Sequence, residues 1–339
     1  MRIGLVVDRV GPGSGTAGVA HALIVHLLAR GHEVAVRCRG GAALPEGVAL
    51  LPEEAQGWLV VGLDRVAGCA VVRASGGVHR AWSRAGAITL WRWMRALGPD
   101  QIAESRREAV AYHSARIVIC NSLRAAGEVV AWHRLPPGVV RIVRNGVDLQ
   151  RFRPDGRARV AARARLGVPA PGRVALFLAH GWFRKGLSAA LAGFEAAAGP
   201  EDRLVVAGRD AHRHRWLRPA ARLGARLVVV DPGDPVPLLA AADVLIHPTR
   251  YDASANVVLE AMAAGVPPVT TLCDGAAEIV PDRGLVVGDP RDVAGIAAAV
   301  RYAWRTPGLA RRCRVAAEAW PTSRMVGEVE TILEEIQDG

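Results

Sequence analysis

The chain has 339 residues, 51% hydrophobic and 22% charged, with a net charge of +11. That length exceeds one ordinary core and suits two domains, and the composition excludes general disorder. No apolar run reaches the roughly 20 residues that a membrane-spanning helix needs, and the positive charge favours anionic partners.

Met1 to Asp8 is a short buried-strand pattern ending in a carboxylate, with too short an apolar run for a secretory leader. Further along, the predicted buried strands are 2–7, 33–38, 69–73, 116–120, 140–144, 173–179, 203–207, 226–230, 243–247 and 268–271. Predicted helices include 16–30, 122–133, 186–198, 256–264 and 290–304. This alternation predicts doubly wound α/β sheets, and ten strands suit two Rossmann-like sheets better than one. The joint is placed at Arg144 to Pro154, where Asn145-Gly146 is a turn signal and a proline follows. Residues 1–150 form one expected domain and 155–320 the other, with a C-terminal helix at 323–338 packing back on the first. Ligands are expected at strand C-termini.

The segment 243–271 is the most specific. Asp243 to His247 reads as a strand, Thr249 to Ala255 as a loop, and Asn256 to Ala264 as a helix stopped by Gly265. The amides of Asn256 and Val257 at that helix start suit a phosphate. Asp252 and Glu260 bracket the site, and carboxylates beside a phosphate fit best if they accept hydrogen bonds from sugar hydroxyls. A nucleotide-sugar satisfies both requirements. A second segment supplies positive charge: after the strand at 173–179, Arg184 and Lys185 lie in a loop before a helix. Lys185 is the chain's one lysine among 43 basic residues. Together they suit a diphosphate, arginine by forked hydrogen bonds and lysine as a point charge.

With these residues in place the chain resembles the retaining glycosyltransferases of family 4, which have the two-domain GT-B fold. The resemblance rests on four marks in order: Gly11 to Gly18, Asn145-Gly146-Val147-Asp148, Arg184-Lys185-Gly186, and Asp252-x7-Glu260 followed by Ala261-Met262-Ala263-Ala264-Gly265-Val266-Pro267. The Arg-Lys-Gly loop and the stretch 240–248 are most similar to lipopolysaccharide core glucosyltransferases. Two positions depart from the family pattern. Asp252 stands where glutamate is usual, and Ala255 where glycine is usual.

The resemblance implies roles residue by residue. Glu260 would bind ribose, and Asp252 the transferred sugar. Arg184, Lys185, Asn256 and Val257 would hold the diphosphate. Gly13 and Gly15 would let the first loop approach the donor, and His79 would lie on the acceptor side. It implies no cofactor and no metal. The donor would be a UDP-sugar and the acceptor a glycan or lipid-linked hydroxyl, with no nucleic acid partner. The enzyme would be cytoplasmic, peripheral at the inner face of the cytoplasmic membrane, and would serve envelope polysaccharide synthesis.

Other readings compete. Gly13 to Gly18 also satisfies a dinucleotide fingerprint, with Arg37 or Arg39 for an NADP phosphate, although five residues separate it from the strand. An NADP-dependent oxidoreductase is therefore one alternative, and a non-catalytic sugar-nucleotide binding protein another. His79 reads equally well as an ordinary loop histidine. His212 and His214 read as solvated loop residues, Cys273 as an apolar filler, and all five cysteines as reduced thiols. Trp82, Trp91 and Trp93 with interleaved arginines read either as core or as an interfacial patch on anionic lipid.

Overall fold

In the computed structural model, the residues described are 1–11, 15–41, 44–85 and 98–338. The chain divides into two compact units, Met1–Gly146 with Trp320–Gly339, and Val147–Ala319.

The first unit contains β1 (Arg2–Val10), β2 (Glu33–Gly41), β3 (Ala49–Leu50), β4 (Leu59–Gly62), β5 (Val71–Arg73), β6 (Ile117–Cys120) and β7 (Val140–Ile142). They form one sheet in the order β3-β2-β1-β4-β5-β6-β7, with parallel pairings throughout. Leu5 at its centre pairs with Val36 on one side and Val61 on the other. Strands buried on both faces read as unbroken apolar runs, which is why β1, β2 and β6 are legible. Between the strands run α1 (Gly15–Ala29), α2 (His79–Ala85), α3 (Pro99–Ser114) and α4 (Leu123–His133). Ser122 caps α4 by accepting from Ala125 N at 3.0 Å.

The C-terminal helix, Thr322–Asp338, belongs to this unit. Its Met325, Val329, Leu333 and Ile336 recur at helical spacing and pack with Leu23 and Leu27 of α1. Such side chains contribute about 1.5–3 kcal/mol each on full burial. Among this apolar stripe sits Glu330, reached by His26 Nε2 at 2.8 Å, His32 Nε2 at 2.8 Å and Arg30 Nε at 3.2 Å. Burial raises the Glu330 carboxyl, but these three donors outweigh it and hold the group down to about 2. Gly146 has a steric reason: a Cβ there would lie 2.6 Å from Thr322 Cα, so glycine lets the linker pass against the start of this helix.

The second unit holds β8 (Val174–Leu178), β9 (Arg203–Ala207), β10 (Leu227–Val230), β11 (Val244–Ile246), β12 (Pro268–Thr271) and β13 (Val286–Val287). Their order is β10-β9-β8-β11-β12-β13, again all parallel. Its helices are α5 (Gly156–Arg165), α6 (Leu187–Ala197), α7 (Arg213–Ala220), α8 (Pro235–Ala241), α9 (Asn256–Ala263), α10 (Val293–Arg305) and α11 (Leu309–Glu318). Asp243, just before β11, accepts from Val174 N at 2.7 Å and pairs with Arg159 and Arg163 of α5, which locks that helix to the sheet. In both units the strand order reverses beside the first strand, next to β1/β4 and β8/β11. Such switch points are where doubly wound sheets bind ligands.

Candidate functional site

In the second unit, β8 leads into the loop Ala179–Gly186. Trp182 is buried, its indole donates to Ala179 O at 3.0 Å, and its backbone N–H donates to Asp210 Oδ2 at 2.8 Å. These bonds pin the loop from beneath. Gly186 closes it with φ of 80°, and a Cβ there would collide with the Pro248 carbonyl oxygen. Glycine thus lets the loops after β8 and β11 cross. Arg250 N and Thr249 Oγ1 donate to Arg184 O at 2.8 and 3.2 Å, and Arg184 Nη1 donates to Tyr251 O at 2.9 Å.

This crossing brings opposite charges together. Lys185 Nζ pairs with Asp252 Oδ2, which also lies 3.8 Å from Arg184 Nη1 and 3.9 Å from His247 Nε2. Asp252 N donates to Cys273 O, and Asp252 O accepts from Gly275 N, both at 3.0 Å. Burial raises the Asp252 carboxyl, yet Lys185, His247 and Arg184 together hold it well below the usual range. His247 is fully buried, and desolvation keeps its imidazole below the ordinary value.

Asp274, 1% exposed, braces the same loop from β12. Its carboxylate accepts from Ala255 N at 3.0 Å, Ala276 N at 2.9 Å and Thr270 Oγ1 at 2.9 Å. Burial and the neighbouring Asp252 both raise its carboxyl. Because Asp274 fixes the Ala255 amide, α9 begins immediately after it, with no side-chain cap at Ala255. Asn256 and Val257 form the first positions of α9, and Glu260 lies one turn on, 6% exposed. The second unit therefore brings Arg184, Lys185 and Asp252 together beside the start of the helix that carries Glu260.

The other sequence-predicted residues lie in the first unit. Gly15 opens α1 with φ of 79°, and Gly13 lies outside the described residues. His79 is the first residue of α2 rather than a loop residue, and only 7% exposed. Its backbone N–H donates to both oxygens of Glu108 at 2.9 and 3.1 Å, so a carboxylate from α3 satisfies the helix start. The His79 ring Nε2 meets Gln101 Oε1 at 2.8 Å and stacks on Trp82. Glu108, 0% exposed, is held by Arg65 Nε at 2.8 Å and His133 Nε2 at 2.9 Å as well. Burial raises its carboxyl, and these donors lower it further than burial raises it. Among the described residues, no group of three or more His, Cys, Asp or Glu side chains is placed to hold a metal ion.

Residues 54–151 match the family profile described as Glycosyltransferase Family 4, and residues 172–306 match Glycosyl transferases group 1. Each match falls mainly on one of the two units, and neither alone spans half of the chain. The chain is 35% identical over 190 residues to D-inositol 3-phosphate glycosyltransferase of Thermobispora bispora, covering 51% of this chain and 42% of that one. It is 33% identical over 201 residues to glycogen synthase of Mycobacterium tuberculosis, covering 55% and 45%. The chain spans about half the length of the curated relatives it matches. Among solved structures, WaaG, a glycosyltransferase involved in lipopolysaccharide biosynthesis, superimposes with a TM-score of 0.83 at 19% identity, covering 98% of this chain and 99% of that one. Anabaena Alr3699/HepE in complex with UDP gives 0.74 at 16% identity, covering 99% and 100%. These likenesses establish the GT-B fold.

Sequence reasoning missed Asp274, His247 and Glu108. Asp274 follows a strand and precedes glycine, a signal indistinguishable from an ordinary turn. His247 was legible as a strand end but not as the buried neighbour of Asp252. His214 also differs from its reading: it lies on α7, exposed, not in a loop.

Proposed function

We propose that this chain moves a hexose from a UDP-sugar to a hydroxyl of a glycan or lipid-linked acceptor, with retention of configuration, in envelope polysaccharide or lipopolysaccharide synthesis. The observation that carries the reading is the Lys185–Asp252 pair beside the start of α9, with Arg184 at 3.8 Å and Glu260 one turn on.

A diphosphate entering this site competes with Asp252 for Lys185 and Arg184. As the glycosidic C–O bond breaks, charge grows on the diphosphate, and preorganised cations and the α9 amides stabilise it. Asp252, freed from Lys185, accepts from hydroxyls of the transferred sugar, and Glu260 accepts from the ribose. His247, neutral in its buried position, adds no competing cation. The leaving phosphate oxygen takes the acceptor proton, so the chain needs no metal or organic cofactor, and turnover should survive chelator. His79, with its ring tied to Gln101, faces the acceptor in this reading.

Cytoplasmic docking at the inner membrane face is part of the proposal. No helix among the described residues is long and apolar enough to cross a membrane. Trp82 is 38% exposed, whereas Trp91 and Trp93 lie outside the described residues. Sedimentation with anionic vesicles at low and high salt tests the docking, which should weaken with salt.

The experiment for the activity is incubation with UDP-glucose and other sugar nucleotides, following both binding and release of UDP. Binding with turnover supports transfer. Binding without turnover leaves a sugar-nucleotide binding protein, and stabilisation by NADP alone leaves an oxidoreductase.

A further inference from the structure

Arg73, the last residue of β5, is 1% exposed. Burial lowers its guanidinium to about 10, so it stays charged at neutral pH. Nη2 donates to Asn145 Oδ1 at 2.7 Å and lies 3.7 Å from Met325 Sδ. Nε and Nη1 are buried with no hydrogen-bond partner. The neighbouring Cys120 thiol is pushed up to about 12 by burial, so it is neutral and gives Arg73 no counter-charge.

Two more orphaned polar atoms share this edge of the sheet. Ser75 Oγ and Asn121 Oδ1 are buried and unpartnered, while Asn121 Nδ2 donates to Ser75 O at 3.3 Å. Ser75 N in turn donates to Arg73 O at 2.9 Å, and Ala74 N donates to Ile119 O at 2.8 Å, so β5 and β6 hold these residues in one cluster. Solvent reaches the cluster at Ser75 and Gly76. A Cβ on Gly76 would sit 3.6 Å from Arg65 Nη2, which places a second guanidinium at that entrance.

A buried charge is ordinarily paired, and buried donors are ordinarily bonded. Here two buried guanidinium nitrogens have no hydrogen-bond acceptor among the described residues. We propose that Arg73 is the floor of an oxyanion subsite on the first unit, which takes a phosphate or carboxylate group of the acceptor and has Arg65 at its entrance. The ligand's oxygens would accept from Arg73 Nε and Nη1 and from the Ser75 hydroxyl. Assigning that group to the acceptor rests on reading the first unit as the acceptor side.

The test uses the full chain carrying Arg184→Gln and Lys185→Ala, which removes the donor-side cations. Inorganic phosphate is titrated in at constant ionic strength while arginine Nε–H resonances are followed, Arg73 being identified by its loss in Arg73→Lys. The proposal expects a saturable shift of the Arg73 signal, with phosphate bound about tenfold more weakly or worse after Arg73→Gln. Should Arg73→Gln fail to fold, the resonance in the chain that retains Arg73 decides. Acetate and a hexose monophosphate titrated alongside separate carboxylate from phosphate, and an acceptor-borne group from a free ion. A hexose phosphate binding at least as tightly as phosphate supports the acceptor assignment, and free phosphate binding alone overturns it. An Arg73 signal that none of these anions moves overturns the subsite. A signal that moves in a parent chain that turns over no sugar nucleotide keeps the subsite and removes the transferase reading.

Discussion

Glu108 on α3 of the first unit and Asp252 in the loop after β11 of the second are both carboxylates held by basic side chains. Glu108 is 0% exposed and takes hydrogen bonds from Arg65, His133 and the His79 backbone, all 2.8 to 3.1 Å long. Asp252 faces Lys185, Arg184 and His247, and its side chain keeps 14% of its exposure. The first arrangement is closed by geometry, so its energy goes into fixing α2 and α3. In the second, solvent reaches the pair and two cations sit within exchange of a stronger anion, so a diphosphate can take them over. Depressed carboxyls accompany both, which shows that a shift alone does not separate structural from functional pairs.

The comparison breaks most visibly at Glu108. Glu108→Gln leaves Arg65 without its buried counter-charge, and removing one partner of such a pair costs about 3–5 kcal/mol. Urea unfolding should show that loss, while affinity for UDP-glucose in the folded fraction stays at the parent value. A stable Glu108→Gln variant would mean that solvent already supports Arg65.

On the other side, Glu260→Gln should weaken UDP-sugar binding by about ten- to a hundredfold, the worth of a charged hydrogen bond of about 1.5–3 kcal/mol. Calorimetry checks this, with the unfolding midpoint near that of the parent. Asp252→Asn should lower the transfer rate more than nucleotide affinity, because the nucleotide is held elsewhere. Asp252→Glu should retain activity or change the preferred sugar. Equal losses of affinity and rate would make Asp252 a structural residue like Glu108.

How far these contrasts were legible in the sequence follows from the range of the contacts. Lys185 stood out as the one lysine, and Asp252-x7-Glu260 is local, so the second unit's charges could be read directly. Glu108 is bound by residues 25 to 43 positions away, and α3 carries too little apolar periodicity to be predicted. Ten strands were read where the described residues hold thirteen. The missing β3, β4 and β13 have two to four residues each, too short for a pattern. Arg73 fell inside a strand that was read correctly, but its burial depends on Asn145 and Met325 from distant segments.

A smaller effect separates folding from function by pH. Glu330 has its ordinary value near 4.5 when unfolded and about 2 when folded. Its contribution to stability is thus complete above 4.5 and is lost as pH falls from there toward 2. Thermal unfolding of Glu330→Gln should lie below the parent at neutral pH and converge with it toward pH 2. A constant gap across that window would assign the loss to packing.

The central claim is that the second unit's cations, paired with Asp252 in this structure, serve the donor diphosphate. Calorimetric titration of UDP-glucose into the parent and Lys185→Ala tests it most directly. The account predicts one site per chain in the parent and a ten- to hundredfold weaker one in the variant, the worth of a charged hydrogen bond. Equal affinity in both, with the variant folded, would contradict it.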